Sequence, residues 1–266
     1  MGEECPFEAP GMAEGYANAR PRLHARIVAR ALRAAGWHGP RGLGLDAGCG
    51  AGLSTEAMLG FVRQCAGTDV AVSMAARAAR RVSAAAFFAS RMEALPLRDG
   101  CCHLVTAAGS LNYAHVPEAL RELARVLAPG GLLVLYDFEP GRRLRGGSAL
   151  GAWFAELMRR WPKPCDGAVP LDPQELRQLT AGLLEPAASE VFEDSGFFTA
   201  QAYAACMMTE TNVAAALRAG ETPDAIRSWI GTTLADVFGA GERQVLFNCY
   251  FAVFAKPSSS STRVAP

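Results

Sequence analysis

Apolar and polar positions alternate along this chain with two periods that take turns. From Pro21 the apolar residues Leu23, Ile27, Val28, Ala31 and Leu32 recur at helical spacing, and Gly36 closes that segment. Short apolar runs then predict strands over 42–47, 64–70, 86–89 and 102–108, with helical patterns over 53–60, 74–83 and 117–127 between them. Pro117 sits in the first turn of the last of these helices, where a missing N–H costs nothing. Pro129-Gly130-Gly131 reads as a tight turn, and 132–138 is a continuous apolar run of the kind buried on both faces of a sheet. This rhythm of strand, helix and strand predicts a mainly parallel sheet covered by helices.

After Phe138 the pattern changes. Residues 139–148 form a connector rich in Gly and Arg, and 149–161 predict an amphipathic helix carrying Trp153, Phe154, Leu157, Met158 and Trp161. Asp172-Pro173 opens another helix, with Asp as its N-cap and Pro at the first position. The insert 139–185 is therefore a candidate helical lid, although its aromatic side chains read first as a packing stripe. A strand near 189–193, helices around 200–208 and 213–219, one opened by Thr222-Pro223, and a last strand over 245–255 complete the pattern. Residues 1–20 read as a loose arm, 1–40 as arm plus helix, 41–257 as one α/β domain, and 258–266 as a disordered Ser-rich tail.

Composition narrows the class. The 266 residues are half hydrophobic, and 26 Lys plus Arg balance 26 Asp plus Glu. A protein that grips a phosphate backbone or an anionic membrane carries a basic excess, so a small-molecule partner is expected, with no nucleic acid and no membrane. Arg22, Arg26 and Arg30 lie four apart on one helical face and read as a solvated stripe. The N-terminus has no basic start followed by an apolar run, and no stretch nears the roughly 18 apolar residues of a membrane span. Eight scattered cysteines, with no Cys-x-x-Cys pair, predict neither a disulfide framework nor a metal site, which suits a reducing cytoplasm.

The densest chemical signal is Leu45-Asp46-Ala47-Gly48-Cys49-Gly50-Ala51-Gly52, after the first strand and at the mouth of the first helix. Alternate glycines let the backbone turn sharply and let a ligand approach without Cβ interference. Open α/β sheets bind ligands at this carboxyl end of their strands. A dinucleotide fingerprint would place its third glycine at position 53, which is Leu53, so the fit is to a ligand without a pyrophosphate. Asp69 ends the second strand 23 residues beyond Asp46, where a carboxylate can accept both hydroxyls of a ribose.

Asp46-Ala-Gly-Cys-Gly-Ala-Gly, Asp69 followed by Met74, Glu93-Ala-Leu-Pro and Arg125-Val-Leu-Ala-Pro-Gly-Gly occur in that order. The set resembles the class I S-adenosylmethionine-dependent methyltransferases, in the small-molecule branch related to ubiquinone/menaquinone-biosynthesis and trans-aconitate methyltransferases. The resemblance covers about residues 40–138. It implies a Rossmann-like, seven-stranded, mostly parallel sheet with helices on both faces, a lid inserted after the fifth strand, and S-adenosyl-L-methionine as cofactor. Gly48, Cys49 and Gly50 would pass under its methionine part, with Asp46 and Met74 in the same motifs. Asp69 would hold the ribose, Val70 the adenine face, Met92 and Glu93 the adenine edge. Gly109 and Leu111 would lie beside the methionine amine, and Tyr16 and Arg20 resemble an N-terminal motif that closes over the cofactor. The chain departs from many relatives at Arg91-Met92, where Asp-Ala is common. It departs again at His103, where Asp is common, and at Asn112-Tyr113, where His-Trp is frequent.

The methyl of a sulfonium is already electrophilic, so transfer is an in-line displacement, and alignment alone supplies about 7–11 kcal/mol of the barrier. A base is needed only where the nucleophile carries a proton. Candidates are Asp137 (with Glu139) at the end of the fifth strand, His24, His115 and Asn112; His38 and His103 read as structural. Two rival readings remain at this level. One is a catalytically silent S-adenosylmethionine-binding module, and the other a nicotinamide-dependent oxidoreductase.

Overall fold

The apolar runs pair side by side in a computed structural model, which describes residues 12–163 and 171–258. Two units are distinguished by their internal contacts. The larger holds residues 24–137, 171–191 and 250–258, and the smaller holds 12–23, 138–163 and 192–249.

In the larger unit α2 (His24–Ala34) precedes β1 (Arg41–Ala47), and α3 (Leu53–Met58), α4 (Val72–Arg81) and α5 (Val116–Val126) follow β1, β2 (Val62–Asp69) and β4 (Cys102–Ala108), with β3 (Ala86–Ala89) before β4 and β5 (Leu127–Phe138) after α5. The strand order is β3-β2-β1-β4-β5, continued by β8 (Arg243–Ala255). Each neighbouring pair from β3 to β5 is parallel, with Leu45 opposite both Ala66 and Val105, and Val105 opposite Leu133. Strands in this position are covered on both faces, which is why Leu45, Val105 and Leu133 are fully buried. Leu120 and Leu123, spaced three apart on α5, enter the same core beside Leu176 and Leu184 of the segment holding α7 (Pro173–Leu179). The order 3-2-1-4-5 leaves the carboxyl tips of β1 and β4 adjacent, and this is where the chain reverses its winding around the sheet.

The smaller unit contains α1 (Met12–Ala19), β6 (Arg143–Leu144), α6 (Ala149–Arg160), α8 (Ala200–Met207), α9 (Thr211–Arg218) and α10 (Pro223–Phe238); β7 (Glu185–Phe198) and β8 contribute residues to both units. Helix α6 buries Leu150, Trp153, Phe154 and Leu157. Trp153 stacks on Trp229 at 5.8 Å and donates its indole N–H to Thr233 Oγ1 at 2.7 Å, while Trp161 meets Trp229 edge-on at 5.3 Å. The aromatic stripe is packing, with its polar edges satisfied. Asp172 caps α7 by accepting from the Gln174 and Glu175 N–H groups, as the Asp-Pro start predicts.

Three expectations are corrected. Residues 12–19 are helix α1 rather than loose arm, because Ala17 is buried and the helix packs on α8. The sheet has eight strands instead of seven, the extra one being the two-residue β6, antiparallel to β8. Pro129-Gly130-Gly131 lies inside β5, since the Gly130 N–H donates to Lys256 O and the Lys256 N–H to Gly131 O, holding the segment in the ladder. The tail expected from 258 lies beyond the described residues from 259 onward, as do residues 1–11 of the arm.

Candidate cofactor site

The bend after β1 takes its shape from three glycines with positive φ: Gly48 at 72°, Gly50 at 50° and Gly52 at 89°. Side-chain-bearing residues avoid that region at a cost of about 1–2 kcal/mol, so the spacing of glycines writes the bend directly. The reasons differ beyond φ. A Cβ at Gly48 would stand 2.3 Å from Ser110 Cβ, so this glycine admits the loop after β4. A Cβ at Gly50 would meet nothing within 4 Å, leaving a cradle open above the backbone. The bend is fastened below by Gly48 and Cys49 N–H groups donating to Thr68 O at 2.8 and 2.9 Å, and beside it by Ser110 Oγ donating to Ala47 O at 2.7 Å.

Asp69, at the tip of β2, faces this bend. Its Oδ2 accepts the Gly50 N–H at 2.8 Å and its Oδ1 accepts the Ala71 N–H at 2.9 Å. A carboxylate offers about four lone-pair sites over its two oxygens, more than these two N–H groups use. Beyond it Val70 and Val72 are 58% and 63% exposed, an apolar surface at the strand tip that a flat heteroaromatic ring would cover.

Other motif residues turn inward. Asp46 is fully buried. Its Oδ2 accepts Ser54 Oγ at 2.6 Å and Thr55 Oγ1 at 2.7 Å, and its Oδ1 accepts Thr106 Oγ1 at 2.8 Å. Burial pushes its carboxyl up, opposed by those three hydroxyls. Asp46 is thus a clamp between β1, α3 and β4 rather than a ligand contact. Cys49 likewise buries its thiol, which burial and then the Asp46 and Asp69 charges push well above the ordinary range, so only its backbone lines the bend. Met74 is 1% exposed in the α4 interface and is also displaced from the expected ligand set.

Met92 lies buried against the Gly48 turn, and Leu111 is buried at the start of a 3-10 turn, Leu111–Tyr113, after Gly109. Burial would raise the Glu93 carboxyl, but the His115 N–H, donating to its Oε1 at 2.8 Å, leads the contacts that hold it below the usual range; Arg91 adds a 3.4 Å contact. Glu93 therefore ties down the loop before α5. The β4 tip meets the β5 tip where Gly109 (φ 59°) approaches Asp137: a Cβ at Gly109 would stand 2.7 Å from Asp137 Oδ1. Gly109 N–H donates to Tyr136 O at 2.9 Å, and Tyr136 Oη lies 2.9 Å from His24 Nδ1. Tyr250 stands nearby, its phenol pushed up by burial and by the Asp137 and Asp172 charges.

Of the remaining candidates, His115 is an exposed residue at the α5 N-terminus, 3.5 Å from Glu118, and Asn112 is half-buried in the 3-10 turn. Tyr16 and Arg20 belong to the smaller unit. There Arg20 stacks over the Tyr16 ring at 4.4 Å, pairs with Glu210 at 3.0 Å and donates to Thr209 O at 3.0 Å. His103 is structural as expected: a Cβ at Gly42 would lie 2.2 Å from its Nδ1, so that glycine accommodates the imidazole at the far end of β4. Sequence reasoning passes over Tyr136, which reads only as one more residue of the apolar run 132–138.

A parallel sheet in this order carries a glycine bend after its first strand and a carboxylate at the tip of its second, at the switch point where open α/β sheets bind ligands. Residues 45–135 match the methyltransferase domain family. The chain is 35% identical over 145 residues to a demethylmenaquinone methyltransferase of Mycolicibacterium vanbaalenii, a match covering 51% of this chain and 62% of that one. The chain thus spans less than two thirds of the length of that relative. Among solved structures, a putative type II methyltransferase from Anaeromyxobacter dehalogenans superposes with a TM-score of 0.64 at 18% identity, covering 89% of this chain and 96% of that one. A geranyl diphosphate C-methyltransferase from Streptomyces coelicolor, solved with Mg2+, geranyl-S-thiolodiphosphate and S-adenosyl-L-homocysteine, gives 0.50 at 17%, covering 86% and 76%. At such identities these structures establish the fold alone. No helix among the described residues is long and apolar enough to cross a membrane.

Proposed function

We propose that this chain is an S-adenosylmethionine-dependent methyltransferase acting on a small-molecule acceptor. The observation that carries the reading is the union of the open cradle at Gly50 with the Asp69 carboxylate hydrogen-bonded to the same residue. The bound cofactor would supply an electrophilic methyl group. Asp69 would accept the ribose hydroxyls, Val70 would cover the adenine, and the backbone from Gly48 to Gly50 would pass beneath the methionine portion. Asp137, at the tip of β5 beside Gly109, is the residue best placed to take a proton from an O–H or N–H nucleophile. The geometry asks little else of the protein, because holding nucleophile and methyl in line is the main catalytic task.

Titration calorimetry with S-adenosyl-L-homocysteine tests the assignment. Wild-type protein should bind it, NAD should not bind, and Asp69→Ala should weaken binding at least tenfold, about 1.4 kcal/mol. Unchanged affinity in Asp69→Ala removes this carboxylate from the site. Mass spectrometry of ligands that co-purify would identify the acceptor class.

A further inference from the structure

We infer that Tyr136 is a positioning residue that holds His24 in the Nε2–H tautomer, which withdraws His24 from the candidate bases. The inference rests on the methyltransferase reading only for its use; the chemistry of the pair stands by itself.

Tyr136 is 1% exposed, and its Oη lies 2.9 Å from His24 Nδ1, with the rings edge to face at 5.7 Å. That contact is the sole hydrogen bond of the Tyr136 hydroxyl among the described residues. A buried O–H needs an acceptor, and leaving it without one costs a sizeable part of the whole interaction. Were Nδ1 to carry the ring proton, it would donate to Oη and the phenolic hydrogen would have nowhere to go. With the phenol donating, both groups are satisfied, and the ring proton falls to Nε2. The alternative of an ionised Tyr136 is closed by its surroundings: burial, and then the Asp46 and Asp137 charges, push the phenol well above its ordinary range. A lone pair at Nδ1 is therefore engaged by the phenol, and Nε2 carries hydrogen. Neither nitrogen is left to accept a proton from a nucleophile, which separates His24 from the candidate bases and leaves that role to Asp137.

Long-range 1H–15N correlation spectra of histidine-labelled protein decide this directly. They should be recorded about two pH units above the ordinary imidazole pKa of about 6.5 so that the rings are neutral. Wild-type His24, assigned by its loss in His24→Ala, should show a pyridine-type Nδ1 and a pyrrole-type Nε2, in a ratio of at least about ten to one. Exposed His38 provides the reference for an unconstrained ring. In Tyr136→Phe, with folding confirmed by circular dichroism, the His24 nitrogens should shift toward the His38 values. A pyrrole-type Nδ1 in the wild type overturns the inference. So does a Tyr136→Phe spectrum that keeps the His24 shifts in place. Failure of S-adenosyl-L-homocysteine to bind would instead remove the methyltransferase reading and leave the tautomer assignment standing.

Discussion

A methyl group added at Gly50 separates the demands of the fold from those of a ligand, because nothing lies within 4 Å of the Cβ position. The folding cost of Gly50→Ala is then the backbone cost of holding φ at 50°, about 1–2 kcal/mol. At about 2–4 °C per kcal/mol for a chain near this size, thermal unfolding should move down by about 2–8 °C. Gly48→Ala carries the same backbone cost at φ 72° and in addition drives its Cβ to 2.3 Å from Ser110 Cβ. Overpacking of that kind adds about 1–3 kcal/mol, so Gly48→Ala should be the less stable of the two. Binding should rank the other way among folded protein. The Gly50 methyl enters the cradle and should raise the dissociation constant for S-adenosyl-L-homocysteine at least tenfold, about 1.4 kcal/mol. Scanning calorimetry and titration calorimetry on the same preparations give both quantities. A folded Gly50→Ala protein that binds with wild-type affinity would show that the cradle is not where the cofactor lies.

Two further outcomes follow from the buried charges. Asp46→Ala strips the acceptor from Ser54, Thr55 and Thr106 and should cost about 3 kcal/mol or more, with Asp46→Asn milder. Thermal unfolding checks this, and lost cofactor binding at unchanged stability would return Asp46 to the ligand surface. Glu122 is held below the ordinary carboxylate range first by Arg125, against burial, and further by the Leu95 N–H. A depressed folded pKa stabilises above the ordinary glutamate value of about 4.3, and that stability is lost as pH falls from there through the folded value. Melting temperature should therefore drop more steeply for wild type than for Glu122→Gln below about pH 4.3; parallel curves would contradict the assignment.

How much of this was legible in the sequence can be traced residue by residue. The β5 run announced itself because a strand buried on both faces carries apolar residues in sequence, Leu132 to Leu135, rather than alternating with polar ones. Gly48, Gly50 and Asp69 were legible because a positive φ demands glycine and a strand tip exposes its last side chain. Asp46, Cys49 and Met74 belong to the same motifs, yet their side chains turn into the interior and only the Cys49 backbone lines the bend. Helix α1 was hidden because its short, Ala- and Gly-containing pattern carries little periodicity of its own and depends on packing against α8.

Composition and spacing alone therefore determined the alternation of strands and helices, the position of the bend and the identity of the acidic tip, since each depends on local backbone preference or on the period of burial. Only the tertiary structure decided that Asp46 gathers hydroxyls from residues 8, 9 and 60 positions away, or that a phenol 112 residues from His24 reaches its ring nitrogen. A side chain's partner across such distances is chosen by which faces the sheet brings together. An acid destined for the core and an acid destined for a ligand look alike until that has happened.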